Sequence, residues 1–212
     1  MTSIFLIGAG QHAKCVAAVV RAQGLYDIAG LISSDAKALL DEPILGTDED
    51  REKLAKKYGT KRFIIAVGRS IPLRIKLYED YLAAGWEPVN VIHPTAVIGP
   101  DVKMGKGNLI EAGSIITPDV VLGDNLLINP GVILNHDTII HSHCHIAGGV
   151  SGAGRVEVGQ GTLIGTGATL GPDVTIGEQS IVGAGAVVVD DLDARGVYVG
   201  VPARFMRENR NV

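Results

Sequence analysis

The chain has 212 residues, 46% of them hydrophobic and 20% charged, with a formal net charge of −4. This is the balance of a folded globular chain and excludes bulk disorder. Without a basic excess, nothing points to nucleic acid or an anionic membrane surface as a partner.

The opening residues 3–7 read as a buried strand running into Gly8-Ala9-Gly10-Gln11-His12-Ala13. A helical pattern through Val16, Val19 and Val20 follows and stops near Gly24. Residues 28–32 and 63–67 read as two further strands, and 48–58 and 71–84 as helices, the first with Thr47 as its N-cap. Strand-helix-strand alternation at this spacing predicts a small Rossmann-like parallel sheet over residues 1–88. Gly8-x-Gly10-x-x-Ala13 lets backbone approach a phosphate at a helix start, yet the half-sheet is short for a dinucleotide, and Ser33-Ser34 stand where an acidic ribose ligand is usual. A mononucleotide diphosphate is the better fit. His12 reads equally well as a phosphate contact and as a helix cap.

From Ile92 onwards the period changes. An aliphatic side chain returns every sixth residue: Ile98, Met104, Ile110, Ile116, Leu122, Ile128, Leu134, Ile140 and Ile146. After Gly152 it resumes in register at Val158, Ile164, Leu170, Ile176 and Val182. Four residues after each stands mostly a small or β-branched residue, with Asn108 and Leu126 the poorest fits. A six-residue period is neither helical nor that of one long strand. It predicts a solenoid of short parallel strands and turns, three hexads to a coil, over residues 89–212. The 28 glycines and the 4% aromatic content suit such a chain of tight, stacked turns. The pattern resembles that of the hexapeptide-repeat proteins, which implies a left-handed parallel β-helix and, most often, an acyltransferase.

Three hexads per coil place residues eighteen apart in one column, about 4.8 Å apart. His136 therefore stacks against Gly154, and Asp137 follows it directly, a pairing suited to general-base chemistry. His145, nine residues on, falls across the prism, so one site served by both histidines would need a second subunit, as in a homotrimer. Gly148, Thr166 and Ala184 form a column of small residues that would leave a groove for an extended pantetheine arm. The run His141-Ser142-His143-Cys144-His145 looks metal-binding, but the period would bury Cys144 and send His141 and His143 outwards at a turn, so no metal is expected. Cys15 and Cys144 read as reduced thiols. No basic leader opens the chain and no apolar run reaches spanning length, so a cytoplasmic protein is expected.

Gly8-Ala9-Gly10-Gln11-His12-Ala13-Lys14, Asn135-His136-Asp137 and Gly196-Val197-Tyr198-Val199-Gly200-Val201-Pro202-Ala203-Arg204 together resemble the sugar O- and N-acetyltransferases that carry an extra N-terminal nucleotide-binding domain. This is the group of the sialic-acid O-acetyltransferases and the N-acetyltransferases of nucleotide-linked amino-dideoxysugars. The resemblance implies acetyl-CoA as co-substrate and a UDP- or GDP-linked aminosugar as acceptor. It also implies His136 as general base with Asp137 behind it, where many relatives have glutamate. Acetyl-CoA contacts would fall on His145, Gly154, Thr166 and Ala184, and nucleotide-sugar contacts on Gly10, Gln11, His12, Ser33, Ser34 and Gly68. Acetylation of a sialic acid or other sugar hydroxyl is the nearest alternative. A metal-dependent hydratase and a non-catalytic nucleotide-binding scaffold are the more distant ones.

Overall fold

The computed structural model describes residues 2–35, 37–68 and 70–210. The chain divides into two compact units, Met1–Pro94 with Gly107–Leu109, and Thr95–Lys106 with Ile110–Val212.

The first unit runs β1 (Thr2–Ile7), α1 (Gln11–Gln23), β2 (Tyr26–Ile32), β3 (Ile44–Gly46), a 3₁₀ turn at Asp48–Asp50 leading into α2 (Arg51–Tyr58), β4 (Arg62–Ile65), α3 (Ile71–Ala83) and β5 (Glu87–Pro88). The five strands form one parallel sheet in the order β3-β2-β1-β4-β5. β1 is central, so its Ile4, Phe5, Leu6 and Ile7 are covered on both faces. The expected first helix and strands are present. The expected helix over 48–58 begins instead as the 3₁₀ turn, where the Thr47 N–H donates to the Asp50 carboxylate at 3.0 Å. β4 ends at Ile65, short of the expected 67, and the two outer strands β3 and β5 are too short to leave a pattern. Helix α1 stops where Gly24 takes the left-handed conformation and its N–H caps the Val20 carbonyl at 3.1 Å. Apart from Tyr198 and Phe205, every aromatic ring of the chain lies in this unit. Phe5, Phe63, Tyr81 and Trp86 pack as one cluster, with centroids 5.0 Å apart for Tyr81–Trp86 and 5.1 Å for Phe63–Tyr81. The polar tips are satisfied: the Tyr81 hydroxyl donates to Asp48 at 2.8 Å and the Trp86 indole N–H to Glu52 at 3.1 Å.

The second unit is a parallel β-helix. Two-residue strands recur every six residues, and each pairs with the strand eighteen residues on, as Ile128 with Ile146 and Ile146 with Ile164. One face stacks Val97–Ile98, Ile115–Ile116, Ile133–Leu134, Ser151–Gly152, Thr169–Leu170 and Val187–Val188. The second stacks Lys103–Met104, Val121–Leu122, Ile139–Ile140, Glu157–Val158 and Thr175–Ile176. The third carries Leu109–Ile110, Leu127–Ile128, His145–Ile146, Leu163–Ile164 and Ile181–Val182, then Gly196–Val199 and the antiparallel Arg204–Glu208. From Ile110 to Val182 the sixth-residue side chains are buried, and each contributes about 1.5–3 kcal/mol by leaving water. The series runs one step beyond the expected end, to the fully buried Val188. Gly152 breaks the side-chain pattern but not the strand, because the backbone ladder continues on either side, as from the Ala153 N–H to Leu170 O at 2.9 Å. Leu126 is buried despite its poor fit, and so is Asn108, whose N–H donates to Asn90 Oδ1 at 2.9 Å.

The coil corners from 101 to 185 use the same bend. Positive φ recurs at 101, 107, 113, 119, 125, 131, 137, 143, 149, 155, 161, 167, 173, 179 and 185. Where glycine is absent, the occupants include Asp101, Asp119, Asn125, Asp137 and Asp173, the residue types that enter this region at least cost.

Candidate active site

Asp137 is one of these left-handed corners, at φ 58°. The bend brings its carboxylate back towards the preceding ring, so His136 Nδ1 lies 2.7 Å from Asp137 Oδ2. An ionised carboxylate only accepts, so Nδ1 of the neutral ring carries the hydrogen and Nε2 keeps the lone pair. The ring is half exposed, as expected for an outward corner. The column arithmetic also holds: a Cβ built on Gly154 would meet His136 Cε1 and Nε2 at 2.6 Å, so the ring lies over bare backbone. Asn135 fixes the turn from the other side by donating to the Gly152 carbonyl at 2.7 Å. Beside it, Arg155 makes a two-pronged ion pair with Asp173, at 2.5 and 2.9 Å, which holds the Asp173 carboxyl below its ordinary pKa.

His145 lies in a strand of the third face, whereas His136 follows a strand of the first. The structure does not bring the two together within one β-helix. His145 Nε2 bonds Asn129 Oδ1 at 2.7 Å, and Asn129 Nδ2 donates to Glu111 Oε1 at 3.1 Å. Glu111 is 7% exposed, and burial pushes its pKa up. Glu111 and Asn129 were not among the sequence candidates. They occupy the position after the inward aliphatic, which is glycine or alanine in most coils, so the departure from that rule was the available signal.

The expectation for His143 is corrected. It does not point outwards: it is 7% exposed and stacks in the corner column on Asn125, whose Nδ2 donates to its Nδ1 at 3.0 Å. The partner one coil away, not the position within the hexad, decides where this side chain goes. Cys144 is buried, its thiol donating to the Gly159 carbonyl at 3.1 Å, and His141 pairs with Glu157 at 2.8 Å. The segment's side chains thus go to separate partners. Among the described residues no group of three or more His, Cys, Asp or Glu could hold a metal ion. Thr166 and Ala184 are exposed and Gly148 half-buried, and the chain passes from coil to coil by Gly167 N–H to Gly148 O at 3.0 Å and Gly185 N–H to Thr166 O at 2.9 Å. These small residues leave an open edge along the prism.

In the first unit the ends of β1, β2 and β4 converge. The Gly8 N–H donates to Ile32 O and the Ala66 N–H to Ile7 O, both at 2.8 Å, which brings the Gly8–Gly10 loop, Ser33-Ser34 and Gly68 to one edge of the sheet. Gln11 opens α1 and is exposed. The Ser33 hydroxyl donates to Asp35 at 3.0 Å and accepts from its N–H at 3.1 Å. Of the two readings left open for His12, capping is excluded, because the N-cap is Gly10 and has no side chain to bond. The His12 ring packs against Gly68, where an added Cβ would lie 2.8 Å from its Cγ. Burial and then the Arg74 guanidinium lower its pKa from 6.5 to about 4, so it is neutral at physiological pH. Among the described residues no helix is long and apolar enough to cross a membrane.

Each of the two units matches a known family. Residues 3–81 match the PglD N-terminal domain, and residues 155–190 match the bacterial transferase hexapeptide family of six repeats. A variant of perosamine N-acetyltransferase from Caulobacter crescentus, solved with CoA and GDP-perosamine, is 36% identical with a TM-score of 0.93, covering 98% of each chain. The acetyltransferase domain of PglB from Neisseria gonorrhoeae, solved with acetyl coenzyme A, is 28% identical with a TM-score of 0.87, covering 96% of this chain and 98% of that one. WeeI from Acinetobacter baumannii is 25% identical with a TM-score of 0.86, covering 97% of this chain and all of the other. With a PglD-type domain ahead of its hexapeptide coils and 36% identity along nearly its whole length, this chain belongs to the hexapeptide-repeat sugar acetyltransferases.

Proposed function

We propose that this protein transfers the acetyl group of acetyl-CoA to the amine of a UDP- or GDP-linked amino-deoxysugar. The observation that carries the reading is the His136–Asp137 pair at 2.7 Å over Gly154, in a chain 36% identical to a perosamine N-acetyltransferase. The amine lone pair attacks the thioester carbonyl and forms the C–N bond, while Nε2 of His136 takes the amine proton. The Gly154 N–H stabilises the oxyanion of the tetrahedral intermediate. The intermediate then collapses, the C–S bond breaks, and the CoA thiolate takes the proton from His136. Asp137 holds the ring in the required tautomer and balances its transient charge. No covalent acyl-enzyme is involved, since the only thiol nearby in sequence, Cys144, is buried.

Acetyl-CoA contacts His145 and Gly154, with its pantetheine arm along Thr166 and Ala184. The nucleotide is held in the first unit by Gly10, Gln11, His12, Ser33, Ser34 and Gly68, with His12 acting as a neutral hydrogen-bonding ring. That His136 and His145 belong to different faces supports a site shared between copies. On this reading the active species is a homotrimer with intersubunit sites, working in the cytoplasm. The deciding experiment incubates purified protein with acetyl-CoA and a panel of UDP- and GDP-linked aminosugars, following thiol release and product mass. Acetylation of an amine supports the reading, acetylation of sugar hydroxyls alone replaces it with O-transfer, and nucleotide binding without acetyl-CoA binding replaces it with a scaffold.

A further inference from the structure

Glu111 poses a question that neither the fold nor the transfer step answers. A carboxyl at 7% exposure is costly unless it is hydrogen-bonded. Its place in the hexad makes it more unusual still. The residue after the inward aliphatic is glycine at 99, 105, 123, 159, 165, 171, 177 and 183 and alanine at 147 and 153. Those small residues let successive coils pass close to one another; a Cβ on Gly165, for example, would lie 2.6 Å from the Ala184 nitrogen. Thr117, Asn135 and His141 also depart from the rule, but Glu111 and Asn129, in consecutive coils of one column, bond to each other at 3.1 Å.

The chemistry of the three groups in line has a direction. A side-chain amide has two different ends, an oxygen that accepts and a nitrogen that donates. Glu111 Oε1 accepts from Asn129 Nδ2 at 3.1 Å, the direction that an ionised carboxylate, with acceptors only, imposes on the amide. That leaves Oδ1 facing His145 at 2.7 Å, and an oxygen there needs an N–H from the ring. The hydrogen of the neutral imidazole is thereby placed on Nε2 and the lone pair on Nδ1. Without the carboxylate, the amide could turn over and present Nδ2 to the ring, which would move the hydrogen to Nδ1. We propose that Glu111 is a positioning residue, which sets the direction of the Asn129 amide and through it the tautomer of His145. Its catalytic consequence rests on the reading of His145 as an acetyl-CoA contact, since an imidazole with the wrong nitrogen protonated meets the thioester with the wrong hydrogen-bonding end.

The test is the tautomer itself. Protein labelled with ¹⁵N-histidine is examined at pH 8 by long-range ¹H–¹⁵N correlation, with His145 assigned by loss of its signals in His145→Gln. Wild type is expected to hold His145 as the Nε2–H form. Glu111→Leu is expected to give a mixture containing Nδ1–H, and kcat/KM for acetyl-CoA is expected to fall roughly tenfold while nucleotide affinity is unchanged. A wild-type ring in the Nδ1–H form, or a Glu111→Leu ring unchanged from wild type, overturns the proposal. Should Glu111→Leu fail to fold, Glu111→Met, which keeps the length of the side chain but offers no strong acceptor, decides in the same way. The tautomer is read without substrate, so a wild-type enzyme inactive on every aminosugar would refute the transfer reading and leave this result standing.

Discussion

The ring of His136 and the missing side chain of Gly154 occupy the same space: a Cβ at 154 would sit 2.6 Å from both Cε1 and Nε2. Gly154→Ala must therefore push the imidazole off its position. Misplacement of a catalytic group by about 1 Å costs up to roughly 100-fold in rate. The variant is expected to lose about 10- to 100-fold in kcat, with a melting temperature close to wild type. Unchanged kcat would show that the ring has another seat.

His136→Ala removes the base and is expected to lose about 10²- to 10⁴-fold in kcat. Nucleotide binding, measured by calorimetry, should survive, because the residues proposed for it lie in the first unit. Asp137→Ala is expected to keep the base but lose its orientation, with about a tenfold fall in kcat. Near wild-type turnover in His136→Ala would end the assignment of this residue as base.

Gly152 is the one inward position of the series, from Ile110 to Val188, without a side chain. A Cβ there would find Ile133 O at 3.7 Å, Leu134 Cδ2 at 3.8 Å and Leu170 Cδ1 at 3.9 Å, all ordinary contacts. Gly152→Ala is expected to stabilise the chain by about 0.4–1 kcal/mol, mainly by narrowing the unfolded ensemble. Chemical denaturation at constant m-value reads the change, and a destabilised variant would mean that the coil cannot accommodate even a methyl group.

His12 gives the first unit an acid limb. Its folded pKa is about 4 against 6.5 unfolded, so between these values the unfolded chain binds a proton that the native state refuses. The associated stability is whole above pH 6.5 and drains away as pH falls towards 4. The full effect is on the order of 3 kcal/mol. His12→Asn is expected to be less stable at pH 7 but to lose less between pH 7 and pH 5 than wild type does. Parallel melting curves for the two proteins across that range would contradict the buried, neutral ring.

The coils were legible in the sequence because each hexad solves the same packing problem, so the period survives even where Gly152 leaves it blank. The His136–Gly154 stack followed from that period alone. What the period could not carry was contact between particular side chains in neighbouring coils. His143 has the hexad position of an outward corner, yet it turns in against Asn125 because a hydrogen-bond partner waits eighteen residues earlier. Glu111 and Asn129 escape the period for a related reason: it is carried by the aliphatic column, and these two depart from the column beside it. In the first unit, β3 and β5 are strands of only three and two residues, whose strand character comes from their neighbours.

The corner at Asp137 is the same bend as those at Asp101, Asp119 and Asp173, with φ between 57° and 62° at all four. In φ, nothing distinguishes the turn proposed as catalytic from its ordinary counterparts. The scaffold behaves like a rack of identical pegs, and what sets position 136 apart is the side chain hung there and the empty peg at 154. Chemistry in such a molecule can be gained, lost or shifted by one coil through a few substitutions, without a new backbone shape having to arise first.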